Sequence, residues 1–148
     1  MNHNSKSTVY TLWANRAIGF IVGGLLFFLP RLLDWYATIR LLNPGQEEAI
    51  VIAFYCCAVV ILYALWTMDK LLNNILVNKV FTTINVTYIR KICFCCGLVA
   101  LICLPAGCFY PPLIFLSIIM AFLCMSVNVV CQVIRAAVFL REENDLTI

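Results

Sequence analysis

Asn128, Gln132 and Arg135 stand four and three residues apart at the end of an uncharged twenty-two-residue stretch of this 148-residue chain, Leu113–Ile134. That spacing puts all three on one face of a helix. Two carboxamides and a guanidinium supply many hydrogen-bond donors and a fixed positive charge, but no acid–base pair. Their chemistry is therefore that of a small polar cavity or a switchable hydrogen-bond network. Groups of this kind in hydrocarbon must find partners, so the face is expected to point into a helix bundle. The plainer reading is helix glue, at ~0.6 kcal/mol per bond in a membrane.

The nine cysteines are the other reactive set. A disulfide scaffold is rejected, because Cys56, Cys57, Cys93, Cys95, Cys96, Cys103, Cys124 and Cys131 lie inside apolar runs. There they read as small packing residues. Cys93-x-Cys95-Cys96 lacks a second Cys or His pair at zinc-site spacing, and the single histidine is His3. No metal and no cofactor are expected. There is no Gly-rich phosphate loop, no Ser-His-Asp set and no H-E-x-x-H helix, so the chain is not expected to be an enzyme. No acidic pair lies inside an apolar run, which argues against a proton- or cation-coupled transporter.

The elements that must position these groups follow from composition. The chain is 64% hydrophobic and 11% charged, well outside the range of soluble domains. A small soluble core has too little interior for this excess, and the bilayer is its natural solvent. The twenty-two residues of Leu113–Ile134 would reach roughly 33 Å as a helix, enough to cross the hydrocarbon core. Upstream, Leu12–Leu33, Ala49–Met68 and Ile92–Tyr110 read as three further spans. The fold class is all-α: a four-helix transmembrane bundle forming one domain over residues 1–148. Residues 1–11 are expected to be polar and mobile. The run Ala17–Leu29 ends in Pro30-Arg31 rather than in small residues, so the first span reads as an anchor and not a cleaved leader. Its Arg16 and Arg31 would snorkel to the interfaces. Gly19 and Gly23 form a small-x-x-x-small pair, expected to pack within the chain, with a dimer seam as the alternative.

Between spans, residues 31–45 look like a short amphipathic helix in the headgroup region, stopped at Asn43-Pro44-Gly45. Thr82 or Thr83 should cap a sharp helix start, with Asn85 in the reciprocal capping role. Tyr110-Pro111-Pro112 is a tight turn that makes the last two spans an antiparallel hairpin. Lys6, Arg16, Lys70, Lys79, Arg90, Lys91, Arg135 and Arg141 fall on one side of the bilayer, and only Arg31 and Arg40 on the other. This bias places both termini and the middle loop in the cytoplasm. The basic segment Asp69–Lys91 and the acidic tail Arg141–Ile148 are complementary. Either the tail docks there, chiefly through Leu146 and Ile148, or it is solvated. The basic segment would equally suit anionic headgroups.

Two motifs on that face carry a resemblance. Phe81-Thr82-x-x-Asn85-x-x-x-Ile89-Arg90 precedes the third span, and Leu140-x-x-Glu143-x-Asp145-Leu146-Thr147-Ile148 closes the chain. Together they resemble the bacterial membrane proteins catalogued as domain of unknown function 2975, over essentially the whole chain. The resemblance implies a small four-helix inner-membrane protein with no established activity and no catalytic residue to carry over. It also implies, by association, a cytosolic helix-turn-helix transcription regulator as partner. A second copy of the chain is the other candidate, beside the lipid bilayer itself, and no direct binding of nucleic acid is expected. The function this supports is a non-enzymatic sensory or regulatory membrane protein working through its cytoplasmic face. The alternatives are a small-solute carrier or channel subunit around Asn128, Gln132 and Arg135, and a structural subunit of a membrane complex.

Overall fold

The computed structural model describes residues 3–40, 44–77 and 82–146, and every regular element in them is helical. The helices are α1 (His3–Arg40), α2 (Pro44–Leu76), α3 (Thr83–Ala106) and α4 (Pro112–Leu146). Each contains a stretch long and apolar enough to cross a membrane: Ser7–Trp35, Glu48–Leu76, Thr83–Ala106 and Pro112–Leu140. The outward surface agrees with that reading. Phe20 and Phe27 are each 83% exposed, and Phe94, Phe115 and Phe122 project from the other helices in the same way. A continuous coat of large apolar side chains belongs in lipid, not water. The chain is a multi-pass membrane protein.

Among the described residues each helix packs only on its neighbour in sequence: α1 on α2, α2 on α3, and α3 on α4. The core lies on α3. Cys95, Val99, Ala100, Cys103 and Ala106 recur at helical spacing and are buried between α2 and α4. Most are small, which lets backbones approach where lipid supplies no hydrophobic drive. The buried Ser117 donates to the carbonyl of Ala100 at 2.8 Å and ties α4 to α3. The nine cysteines are all free thiols. Their contacts are those of packing residues, with Sγ–Sγ approaches of 3.7 Å for Cys57–Cys103 and 3.4 Å for Cys93–Cys124.

The hairpin between α3 and α4 is as tight as its sequence suggests. Pro105 sits in the last turn of α3, the chain turns through residues 107–111, and Pro112 opens α4 at the position where its missing N–H costs nothing. Gly107 donates back to the carbonyl of Cys103 at 2.9 Å. A Cβ at Gly107 would run into Ile114 Cγ1 and lie 3.1 Å from its backbone nitrogen. Glycine is thus required here by the closeness of the next helix.

α1 departs most from the sequence reading. It is helical from His3, so residues 3–11 are not a mobile tail, and it continues through Pro30 to Arg40. The separate interfacial helix over residues 31–45 therefore does not form; residues 31–40 extend α1, and residues 41–43 lie outside the described residues. A proline removes one rung of the helix, but in a membrane the remaining rungs have no water to turn to. Buried Leu29, directly before it, keeps α1 seated. Gly19 and Gly23 do not pack within the chain: a Cβ on either would meet nothing within 4 Å. α4 likewise runs on through Arg135 and Arg141 to Leu146, at about 1.5 Å per residue well beyond the thickness of a bilayer. The acidic tail is therefore an extension of α4. Its docking on the middle segment falls on side chains outside the described residues, Glu143 excepted, which is exposed.

Candidate functional site

The charged and carboxamide contacts between helices gather at the end where α3 begins and α4 ends. Asn15 on α1 donates to the carbonyl of Leu65 on α2 at 3.0 Å. Arg16 grips Asp69 with both ends of its guanidinium, Nε to Oδ1 at 3.0 Å and Nη2 to Oδ2 at 3.3 Å. Asn73, one turn further along α2, donates to the same carboxylate at 3.2 Å. The sequence reading sent Arg16 to the interface alone; it is instead one half of an ion pair between α1 and α2. Next to this pair, Lys70 lies over the ring of Trp66, 3.6 Å from its centroid.

The next seam, between α2 and α3, is closed by two asparagines. Asn74 Nδ2 donates to Asn85 Oδ1 at 3.1 Å, and Asn85 is only 2% exposed. Thr82 does occupy the cap position, and the backbone N–H groups of Asn85 and Val86 bond to its carbonyl. Its side chain makes no capping hydrogen bond. The carboxamide of Asn85 thus serves the seam with α2, where an unpaired buried amide would be costly.

The third feature is a groove of about 430 Å³ between α3 and α4 at the same end. Asn128, Gln132 and Arg135 form one wall, and Thr83, Thr87 and Arg90 form the other. Both triplets have the same four-then-three spacing, and the helices are antiparallel. Cys131 reaches the carbonyl of Val86 at 3.8 Å, and Cys93 and Cys124 meet further along, which fixes the register. Val86, Cys131, Val138 and Phe139 supply apolar surface between the walls. The Asn128 face was expected to point into the bundle. It lies instead on the flank of the α3–α4 hairpin, with all three side chains exposed in the single chain. The inward positions are taken by smaller residues that let the two backbones close.

Among the described residues no carboxylate lines the groove, and its charge there is that of two arginines. Thr87 turns its hydroxyl back on the carbonyl of Thr83 at 3.1 Å. The free donors are then the two guanidiniums, the two carboxamides and the hydroxyl of Thr83. Among the described residues no group of acids, histidines and cysteines has the geometry of a metal site. A second cavity, about 200 Å³, lies between the helices and is lined by Leu26, Leu29, Cys57, Val99, Leu113 and other apolar residues.

Of the motif residues, Thr82, Asn85 and Arg90 are placed as above, and Glu143 is on the extension of α4. Phe81 and Thr147 lie outside the described residues, as do the side chains of Asp145 and Leu146. The model of a family described as "Protein of unknown function (DUF2975)" matches residues 3–148, and the chain belongs to that family. No curated protein and no solved structure matches it.

Proposed function

We propose that this family member is a non-enzymatic sensory or regulatory protein of the bacterial inner membrane, with both termini cytoplasmic, acting through the end of the molecule where α3 begins. One observation carries the reading. Among the described residues, every charged or carboxamide contact between helices is at that end, as is the polar groove. At the opposite end the described residues include the exposed Arg31 and Asp34 of α1 and the exposed Cys108 of the short α3–α4 turn. The excess of lysine and arginine at the same end supports a cytoplasmic orientation. A groove whose described lining holds donors and cations, and neither carboxylate nor imidazole, suits recognition better than acid–base chemistry. The apolar lining of the central cavity also disfavours a carrier or channel, since a solute path would need polar groups along its length.

The extension of α4 is where a cytosolic partner, such as a transcription regulator, would make contact. A photo-crosslinking amino acid at Glu143 should form a discrete adduct with a cytosolic protein in living cells, while one at Phe109 should not. Adducts at Phe109 alone, or none at either position in inserted protein, would overturn the reading.

A further inference from the structure

We propose that the α3–α4 groove is a binding site for a phosphate-bearing anion at the membrane surface. It rests on the reading of that end as the working face and adds the chemical class of what is bound there.

The argument starts from charge. Arg90 and Arg135 line the groove from opposite helices, and neither is ion-paired among the described residues. Two like charges facing a shared space near lipid repel, and an anion between them reverses the sign of the interaction. The guanidinium fork matches a phosphate with two parallel hydrogen bonds. The beginning of α3 adds the positive end of its helix dipole, on the same wall as Thr83. Asn128 and Gln132 complete the ring with donors that can turn to meet phosphate or glycerol oxygens.

Depth then favours one source of the anion. Arg90 is seven residues into α3, roughly 10 Å along a helix that is itself a membrane span. The groove therefore runs from the polar surface into the headgroup layer. Its polar walls enclose Val86 and Cys131 midway along, while Val138 and Phe139 lie at the outer end beside the start of α3. Val86 and Cys131 lie where the glycerol of an anionic phospholipid would rest when its phosphate is held between the walls, and its acyl chains would leave past Arg90 into the bilayer. A free phosphate would use the arginines and leave the apolar floor uncovered.

The test uses the full chain in neutral detergent micelles. Its thermal midpoint is followed while dioctanoyl phosphatidylglycerol, dioctanoyl phosphatidylcholine or inorganic phosphate is added. Saturable stabilisation by the anionic lipid, absent with the zwitterionic one and weakened by added salt, is the expected result. Arg90→Gln and Arg135→Gln should each weaken the apparent affinity at least about ten-fold. Arg135→Lys, which keeps the charge and the fold but loses the fork, should fall between them and the unaltered chain. Saturable stabilisation by inorganic phosphate at matched ionic strength would assign the site to a solute anion instead of a headgroup, with the same arginine dependence. Equal stabilisation by both lipids, no stabilisation by either lipid or by phosphate, or anion binding unchanged in folded Arg90→Gln and Arg135→Gln, would overturn the site. The Glu143 crosslink does not depend on lipid affinity, so either result can fail alone.

Discussion

The two halves of the molecule are held together in different ways. α3 and α4 meet through small buried residues, a serine–carbonyl bond and a turn with no spare room at Gly107. α1 meets α2 with bulky side chains left facing outward, glycines with open space around them, and two polar hooks at Asn15 and Arg16. In lipid, apolar surface alone does not drive helices together, because the tails are as apolar as leucine. The hairpin is therefore held by close fit along its length, and α1 by a few polar contacts at one end with the buried Leu12 and Leu29. That difference makes α3–α4 the more closely packed frame, on which the groove is built, and α1 the more loosely packed element.

Alanine in place of glycine should separate the halves most sharply. Gly107→Ala forces Ile114 to shift and should lower stability by about 1–3 kcal/mol. Gly23→Ala has nothing to strike and improves helix propensity, so it should be neutral or gain up to about 1 kcal/mol. Thermal melts of the two variants in detergent make the comparison. Equal losses would mean that α1 is packed as tightly as the hairpin.

Ser117→Ala should cost less, about 0.6 kcal/mol, as one interhelical bond in a membrane does. The loss should appear in the same melts, with a smaller shift than Gly107→Ala gives. A larger shift would move the weight of the hairpin from packing to hydrogen bonding.

The smallest change in overall stability should come from Asp69→Asn, because the guanidinium of Arg16 is already half exposed. Its effect is local: amide hydrogen exchange should rise around Asn15 and Arg16 on α1 and stay unchanged on α3 and α4. A rise of equal size on α4 would show the two halves to be coupled.

How much of this was legible in the sequence depends on the range of the signal. Local signals worked. Thr82 marks a helix start, Tyr110-Pro111-Pro112 makes the hairpin, and the four apolar runs became four long helices. Signals that need the register between distant segments did not. Arg16 and Asp69 are fifty-three residues apart, and nothing near either names the other. Asn85 sits where a capping residue would, and only the position of Asn74 reveals its other partner. Residues 31–45 read as a separate interfacial helix because their charges alternate with apolar residues, yet α1 runs on through Pro30 to Arg40. The groove lies between these cases. The Asn128, Gln132 and Arg135 face was readable on α4, and its opposite wall was present as the same spacing in Thr83, Thr87 and Arg90. The antiparallel pairing expected from the short turn was enough to bring the two triplets together.

Orientation across the bilayer is the claim on which the working face depends, and cysteine labelling reads it directly. In otherwise cysteine-free chains in intact cells, a membrane-impermeant thiol reagent should modify Cys108, which is exposed in the α3–α4 turn. A chain carrying Glu143→Cys as its single thiol should react only after the cells are opened. Labelling of the Glu143→Cys chain from outside, with Cys108 protected until lysis, would put the groove on the outer face and contradict the account.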